Sequence, residues 1–242
     1  MTKIALISDI HGNKTALEAV LHDIQERGIN RIFCLGDLIG KGPRGSECID
    51  IVRANCEKVI RGNWDVFIQN PADNEFVQWF QDHLTEEDFK YLASLPFYID
   101  MELNGQLIRC VHASPRSEFE RIAPGYHTEK ECLSLLENSA ETESLHSDRR
   151  PDILFYGDIH TTFLKTYESG ILCNVGSVGN SLDLTNASYV IVDGTYATNA
   201  VQFIRVPYDK DAELKIAKKM DLVGYQQYYD ELMYAQYRGA KS

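Results

Sequence analysis

The sequence predicts an α/β protein, and three features of it do so. Short apolar runs of strand length alternate with segments whose apolar residues recur at helical spacing. The first three runs, near residues 4–7, 31–35 and 58–61, are separated by two such segments, the strand–helix–strand–helix–strand order of a doubly wound sheet. Each run gives way to glycine or a small polar residue, as at the carboxyl ends of strands, where open α/β sheets bind ligands.

The elements follow in order. Ile4-Ala5-Leu6-Ile7-Ser8 reads as a buried strand, followed by Asp9-Ile10-His11-Gly12-Asn13. Ala16, Leu17, Val20, Leu21 and Ile24 then recur at helical spacing, and Gly28 closes the helix. Arg31–Leu35 is a second strand, ending in Gly36-Asp37, and a glycine-rich loop over 39–45 opens a helix carrying Cys48, Ile49, Ile51 and Val52. Lys58–Arg61 is a third strand, ending in Gly62-Asn63-Trp64-Asp65. Residues 66–96 are acidic and aromatic and predict two short helices, an insertion able to cap a site if it overhangs the sheet edge. Thr85 with Asp88 three residues on marks a capping box for the second of them.

Asn104-Gly105 between Phe97–Leu103 and Gln106–Val111 predicts a hairpin whose second strand runs into His112. Residues 116–127 read as a loop and 128–146 as a helix. Ile153–Tyr156 is a further strand, ending in Gly157-Asp158-Ile159-His160, and strand-like runs follow at 163–168, 171–175, 188–193 and 200–206. A helical tail begins at 209, its tyrosines 225, 228, 229, 234 and 237 available to pack on the domain or on a second subunit of a homodimer. The whole of 1–242 reads as one domain.

Composition narrows the function. With 242 residues, 44% hydrophobic and 25% charged, the chain can bury a core. A net charge of -12 argues against a nucleic-acid or anionic-membrane surface. No apolar run reaches membrane-spanning length, and Met1-Thr2-Lys3 enters the first strand without a signal peptide, so the expected location is cytoplasmic. The six cysteines form no C-x-x-C pair and read as buried free thiols.

Metal-competent residues end five of the apolar runs: Asp9 and His11, Asp37, Asn63, His112, and Asp158 with His160. One such residue is ordinary turn chemistry. Five groups at neighbouring strand ends converge into one site of oxygen and nitrogen ligands. The order D-x-H, G-D, G-N, H, G-x-x-H resembles the calcineurin-like metallophosphoesterases, over residues 3 to about 180. Val175–Gly179, Trp64 and the Val206–Asp209 entry to the tail resemble the small bacterial phosphodiesterase and asymmetric diadenosine-tetraphosphate hydrolase branch.

The resemblance implies a four-layer α/β/β/α sandwich with two metal ions at one edge. One ion would take Asp9, His11 and His160, the other Asn63, His112 and Asp158, with Asp37 bridging. Hydroxide held between them would attack phosphorus in line, so Asp37, Asn63 and His112 count as catalytic. The implied substrate is a phosphate-containing small molecule, a nucleotide phosphodiester or phosphoanhydride. Two other readings stand beside it: a serine/threonine protein phosphatase, and a non-catalytic nucleotide- or metal-binding protein.

Two departures from the family pattern matter. Asp158 stands where the family usually has histidine, and a third carboxylate would favour manganese or iron over zinc. Trp64 stands where many members carry the general-acid histidine, which favours leaving groups that are already stable anions. Trp64 either stacks on a base or packs. Asn13 either contacts phosphate or caps a helix. Arg116 either clamps phosphate or is a solvated loop residue. Lys41 and Arg44 read as solvated. Gly176-Ser177 is either an anion-binding turn or a tight turn alone.

Overall fold

A computed structural model describes residues 3–142 and 149–236. The strands are β1 Lys3–Ile7, β2 Arg31–Cys34, β3 Lys58–Val59, β4 Tyr98–Leu103, β5 Gln106–Val111, β6 Ile153–Tyr156, β7 Thr162–Tyr167, β8 Gly170–Val175, β9 Ala187–Asp193 and β10 Ala200–Val206. The helices are α1 Lys14–Glu26, α2 Gly45–Asn55, α3 Asn63–Phe67, α4 Glu75–Asp82, α5 Glu86–Ser94, α6 Glu129–Leu133, α7 Lys210–Lys219 and α8 Tyr225–Tyr234. One sheet has the order β10-β9-β1-β2-β3, the other β4-β5-β6-β8-β7. Both are mixed: β1 pairs parallel with β2 and antiparallel with β9, while β6 pairs parallel with β5 and β8, which pair antiparallel with β4 and β7.

Alternation along the strands divides the core into layers. Ile4 and Leu6 join Phe33, Ile108, Ile153 and Phe155 in an apolar layer between the sheets. Ala5 and Ile7 face the other way and pack with α1, α2, α7 and α8 residues. Leu154 and Tyr156 pack with Cys132, Leu135 and Leu136 on the outer face of the second sheet. This is the four-layer arrangement. The doubly wound reading is corrected accordingly: each sheet has helices on one face only, because its other face is buried against the second sheet.

The hairpin forms as predicted, with Asn104 and Gly105 both at positive φ, 53° and 76°. The capping box is present, Thr85 Oγ1 accepting from the Asp88 N–H and Asp88 accepting from Thr85 N. Other boundaries differ. The expected helix over 128–146 ends at Leu133 and passes through a 3₁₀ turn, Ser134–Leu136. Beyond it, the buried Arg109 guanidinium donates to Asn138 Oδ1 at 2.9 Å and to Thr142 Oγ1 at 3.1 Å. His146, within that expected helix, lies outside the described residues. The tail is two helices, broken where Asp221 and Gly224 take positive φ; Tyr237 lies outside the described residues. No helix among the described residues is long and apolar enough to cross a membrane.

Candidate metal centre

The predicted ligands come together at one edge of the sandwich through an unusual backbone. Asp9, His11, Asp37, Asp158 and His160 all have φ between 49° and 61°. Left-handed backbone costs an L residue about 1–2 kcal/mol, less for Asp, so five such positions in one site are held by their surroundings. Asp9 N donates to Gly36 O at 3.0 Å and His11 N to Asp37 O at 2.9 Å, tying the first turn to the second. Asp65 accepts N–H bonds from Asp37, Leu38 and Gly62 at 2.8–2.9 Å and ties the second to the third. Ser177 Oγ donates to Asp9 O and accepts from Asn180 N, both at 2.7 Å. The Gly176-Ser177 turn thus works as a brace: the Val178 and Gly179 N–H groups already bond Ser8 O and Asp9 O.

Three imidazoles share one orientation. His11 Nδ1 lies 3.1 Å from Ile39 O, His112 Nδ1 2.7 Å from Leu35 O, and His160 Nδ1 2.7 Å from Asn180 O. A carbonyl oxygen only accepts, so each Nδ1 carries a proton and each ring turns its Nε2 inward. His11 Nε2 and His160 Nε2 face each other at 3.1 Å. Asp9 Oδ1 lies 3.1 Å from the second and 3.8 Å from the first. Ligand atoms about 2.1 Å from one metal ion lie about 3.0–3.4 Å apart in octahedral or tetrahedral geometry. Two of the three spacings fall in that range and the third, at 3.8 Å, lies just beyond it, an arrangement close to that of ligands around a shared cation.

Asp37 spans the centre. Its Oδ2 is 3.5 Å from His11 Nε2 and its Oδ1 is 3.5 Å from His112 Nε2. Ligand atoms of Asp9, His11 and His160 lie within 4.8 Å of one another, as do those of Asp9, Asp37 and His112. Asp9 Oδ1, Asn63 Oδ1 and His112 Nε2 are buried without a hydrogen-bond partner, an arrangement that buried polar atoms avoid unless an ion or water completes them.

The electrostatics agree. Burial disfavours the His112 imidazolium, yet Asp37, Asp9 and Asp158 outweigh it and raise its pKa to about 9. Burial pushes the Asp37 carboxyl well up, with Asp9 and Asp65 adding to it. Burial also opposes ionisation of Asp9, but His160, His112 and His11 more than offset it and hold the group below its usual range. Burial, His160 and Lys41 keep His11 neutral. The upward shifts of His112 and Asp37 mark a buried cluster of carboxylates that holds protons where a cation would otherwise balance it.

Other predicted residues are placed differently. Asp158 belongs to neither ligand group among the described residues. Arg121 grips its carboxylate with Nε at 2.8 Å and Nη2 at 2.9 Å, and Asn63 Nδ2 lies 3.4 Å from it. Arg121 thereby offsets the third negative charge that the sequence reading counted toward a harder metal. Asn13 is the helix cap: Oδ1 accepts from Ala16 N and Nδ2 donates to Gly179 O, so its amide is spent inside the protein. Arg116 is turned away, bonded to Glu120 and Ser134. Lys41 and Arg44 are not solvated. Lys41 bonds Asn180 and Glu231, and Arg44 bonds Thr15 and Glu213.

A cavity of about 140 Å³ opens over the centre, with Asp37, Asn63 and His160 on one wall and Trp64 and Phe76 on another. Trp64 lies edge-on to His11 at 6.0 Å and packs on Phe67, Phe76 and Phe80. Phe76 brings the insertion to the cavity rim. Asp158, Arg121, Gln227, Tyr228 and Glu231 also line it. Sequence reasoning missed Asp65, Arg121, Asn180 and Glu231 as site residues. Asp65 had a local signal, standing two residues after Asn63, whereas the others reach the centre only through tertiary contact.

The two-sheet sandwich is the fold of the metallophosphoesterases. The sequence profile of the calcineurin-like phosphoesterase superfamily domain matches residues 2–196, and the chain belongs to that superfamily. It is 34% identical over 243 residues to an uncharacterized protein of Methanocaldococcus jannaschii, covering 89% of this chain and 92% of that one. Over 66 residues, 26% of this chain and 24% of the relative, it is 35% identical to the symmetrical bis(5'-nucleosyl)-tetraphosphatase of Erwinia tasmaniensis. The crystal structure of a metallophosphoesterase from Sphaerobacter thermophilus superposes with a TM-score of 0.78 at 24% identity, covering 97% of this chain and all of that one.

Proposed function

We propose that the chain is a two-metal phosphoesterase hydrolysing phosphodiester or phosphoanhydride bonds of small molecules, with nucleotides such as dinucleoside polyphosphates as the leading class. The observation that carries this reading is the coordination spacing of bare ligand atoms about Asp37, whose two oxygens face His11 and His112. Asp9, His11 and His160 would hold one ion, His112 and Asn63 the other, and Asp37 both. Manganese, iron and zinc all suit this mixed nitrogen and oxygen set. Bound there, the two ions supply Lewis-acid stabilisation of the charge that develops in an in-line displacement at phosphorus.

The chain's own groups set which ester is cleaved. Arg121, pinned by Asp158, offers a planar cation on the cavity wall where phosphate oxygens would lie. The Trp64 indole has no proton to give a departing alkoxide, so anhydrides and aryl esters, which leave as stable anions, are favoured. Trp64 and Phe76 offer aromatic surface to a base or aryl ring. The partial likeness to a nucleosyl-tetraphosphatase supports the nucleotide class.

The test is hydrolysis with added manganese of bis-p-nitrophenyl phosphate, a nucleotide panel and a phosphoserine peptide. Turnover of the first two, lost in Asp37→Asn, is expected. Equal rates on the phosphopeptide would favour a protein phosphatase. Metal uptake without turnover of any substrate would favour a binding protein.

A further inference from the structure

The C-terminal helix lies beyond the matched residues 2–196 yet reaches the centre. Glu231, on α8, is 1% exposed. Its Oε2 accepts from Asn180 Nδ2 at 2.8 Å and from Lys41 Nζ at 3.3 Å, and its Oε1 from Gln227 Nε2 at 3.0 Å. Asn180 in turn faces His160: its backbone O lies 2.7 Å and its Oδ1 3.0 Å from Nδ1. Lys41 Nζ also donates to Asn180 Oδ1, at 3.0 Å.

These contacts leave one arrangement of the Asn180 amide. Glu231 only accepts, so it takes the NH₂ end, and Lys41 only donates, so it takes the oxygen. Turning the amide over would set NH₂ against the His160 Nδ1–H and the Lys41 ammonium, and oxygen against a carboxylate. The correct orientation gives His160 Nδ1–H two acceptors and aims Nε2 at His11 Nε2 and Asp9 Oδ1. Hydrogen bonds to the remote nitrogen of a ligating histidine fix its ring and raise its basicity.

We propose that Glu231 is a positioning residue for the metal centre, acting through Asn180 to hold His160 as a ligand, so that the tail helix sets metal affinity. This rests on reading Asp9, His11 and His160 as ligands.

The experiment measures manganese binding by calorimetry in the full chain, with ¹⁵N spectra of the histidine rings in the metal-free protein. Glu231→Ala and Asn180→Ala are each expected to weaken binding 10–100-fold, the usual cost of losing such a partner. They should also shift the His160 ring nitrogen signals, because the Oδ1 acceptor at Nδ1 is lost or turned while the Asn180 backbone oxygen remains. Glu231→Gln, which keeps one acceptor oxygen, should lose less. Gln226→Ala, on the exposed side of the same helix, should bind as wild type does. Wild-type affinity and unchanged His160 signals in folded Glu231→Ala or Asn180→Ala would overturn the proposal. So would an equal loss in Gln226→Ala, which would mark a general effect of the helix. A wild-type chain that binds no manganese would instead overturn the ligand reading beneath it.

Discussion

Gly62→Ala perturbs the bridging carboxylate through a single added methyl group. Gly62 has φ -101° and ψ 177°, open to any residue, so backbone strain does not enter. An added Cβ would lie 2.1 Å from Asp37 Oδ1 and 2.3 Å from Asp37 N. Ordinary contact begins at 3.4 Å, so the carboxylate must retreat by about 1.3 Å. The backbone nitrogen cannot yield easily, because Asp65 holds it at 2.8 Å. Overpacking of this kind costs about 1–3 kcal/mol of stability. Its larger effect falls on the metals, since ligand distances hold only within about 0.2 Å. The variant is expected to fold, melt lower than wild type, retain less metal after dialysis against manganese, and lose activity on bis-p-nitrophenyl phosphate at least tenfold. Gly28→Ala is the control. Its φ of +67° makes alanine strained, by about 1 kcal/mol, but nothing lies within 4 Å of the new methyl group. It should melt lower and keep its metal. Full metal content and wild-type turnover in Gly62→Ala would refute the reasoning, as would equal metal loss in Gly28→Ala.

Three further outcomes are expected. Asp158→Asn should keep the wild-type metal content by elemental mass spectrometry while Asp9→Asn loses it; metal loss in Asp158→Asn would return Asp158 to the ligand set. Trp64→Ala should raise KM for dinucleoside polyphosphates by about 5- to 150-fold, since stacking is worth about 1–3 kcal/mol per base, and leave KM for a dimethyl phosphodiester little changed. Thr85→Ala should cost about 1 kcal/mol in urea unfolding through loss of the helix cap, without changing metal content.

The parts legible in the sequence were those with local causes. Asn104-Gly105 set the hairpin because both positions need positive φ, and Thr85 with Asp88 set a cap within four residues. Asp9, His11, Asp37, Asn63, His112 and His160 were legible because each follows a buried strand, and neighbouring strands bring their ends together. What failed depended on partners far away in the chain. Nothing near Asp158 announces Arg121, 37 residues earlier, as the partner of its carboxylate. Arg116 and Arg121 look alike in sequence, and only packing decides which reaches the cavity. The expected helix over 128–146 gives way after Leu133 to a 3₁₀ turn, and the side chains beyond it, Asn138 and Thr142, bind Arg109 on β5, a partner that the local pattern does not show. Glu231 lies 51 residues from Asn180 and read as one polar position on a tail helix.

Anomalous diffraction from crystals grown with manganese addresses the centre itself. Two peaks are expected, one among Asp9, His11 and His160 and one beside His112 and Asn63, both touching Asp37. Peaks located elsewhere, or no peak among these side chains in manganese-soaked crystals, would contradict the assignment of a two-metal centre.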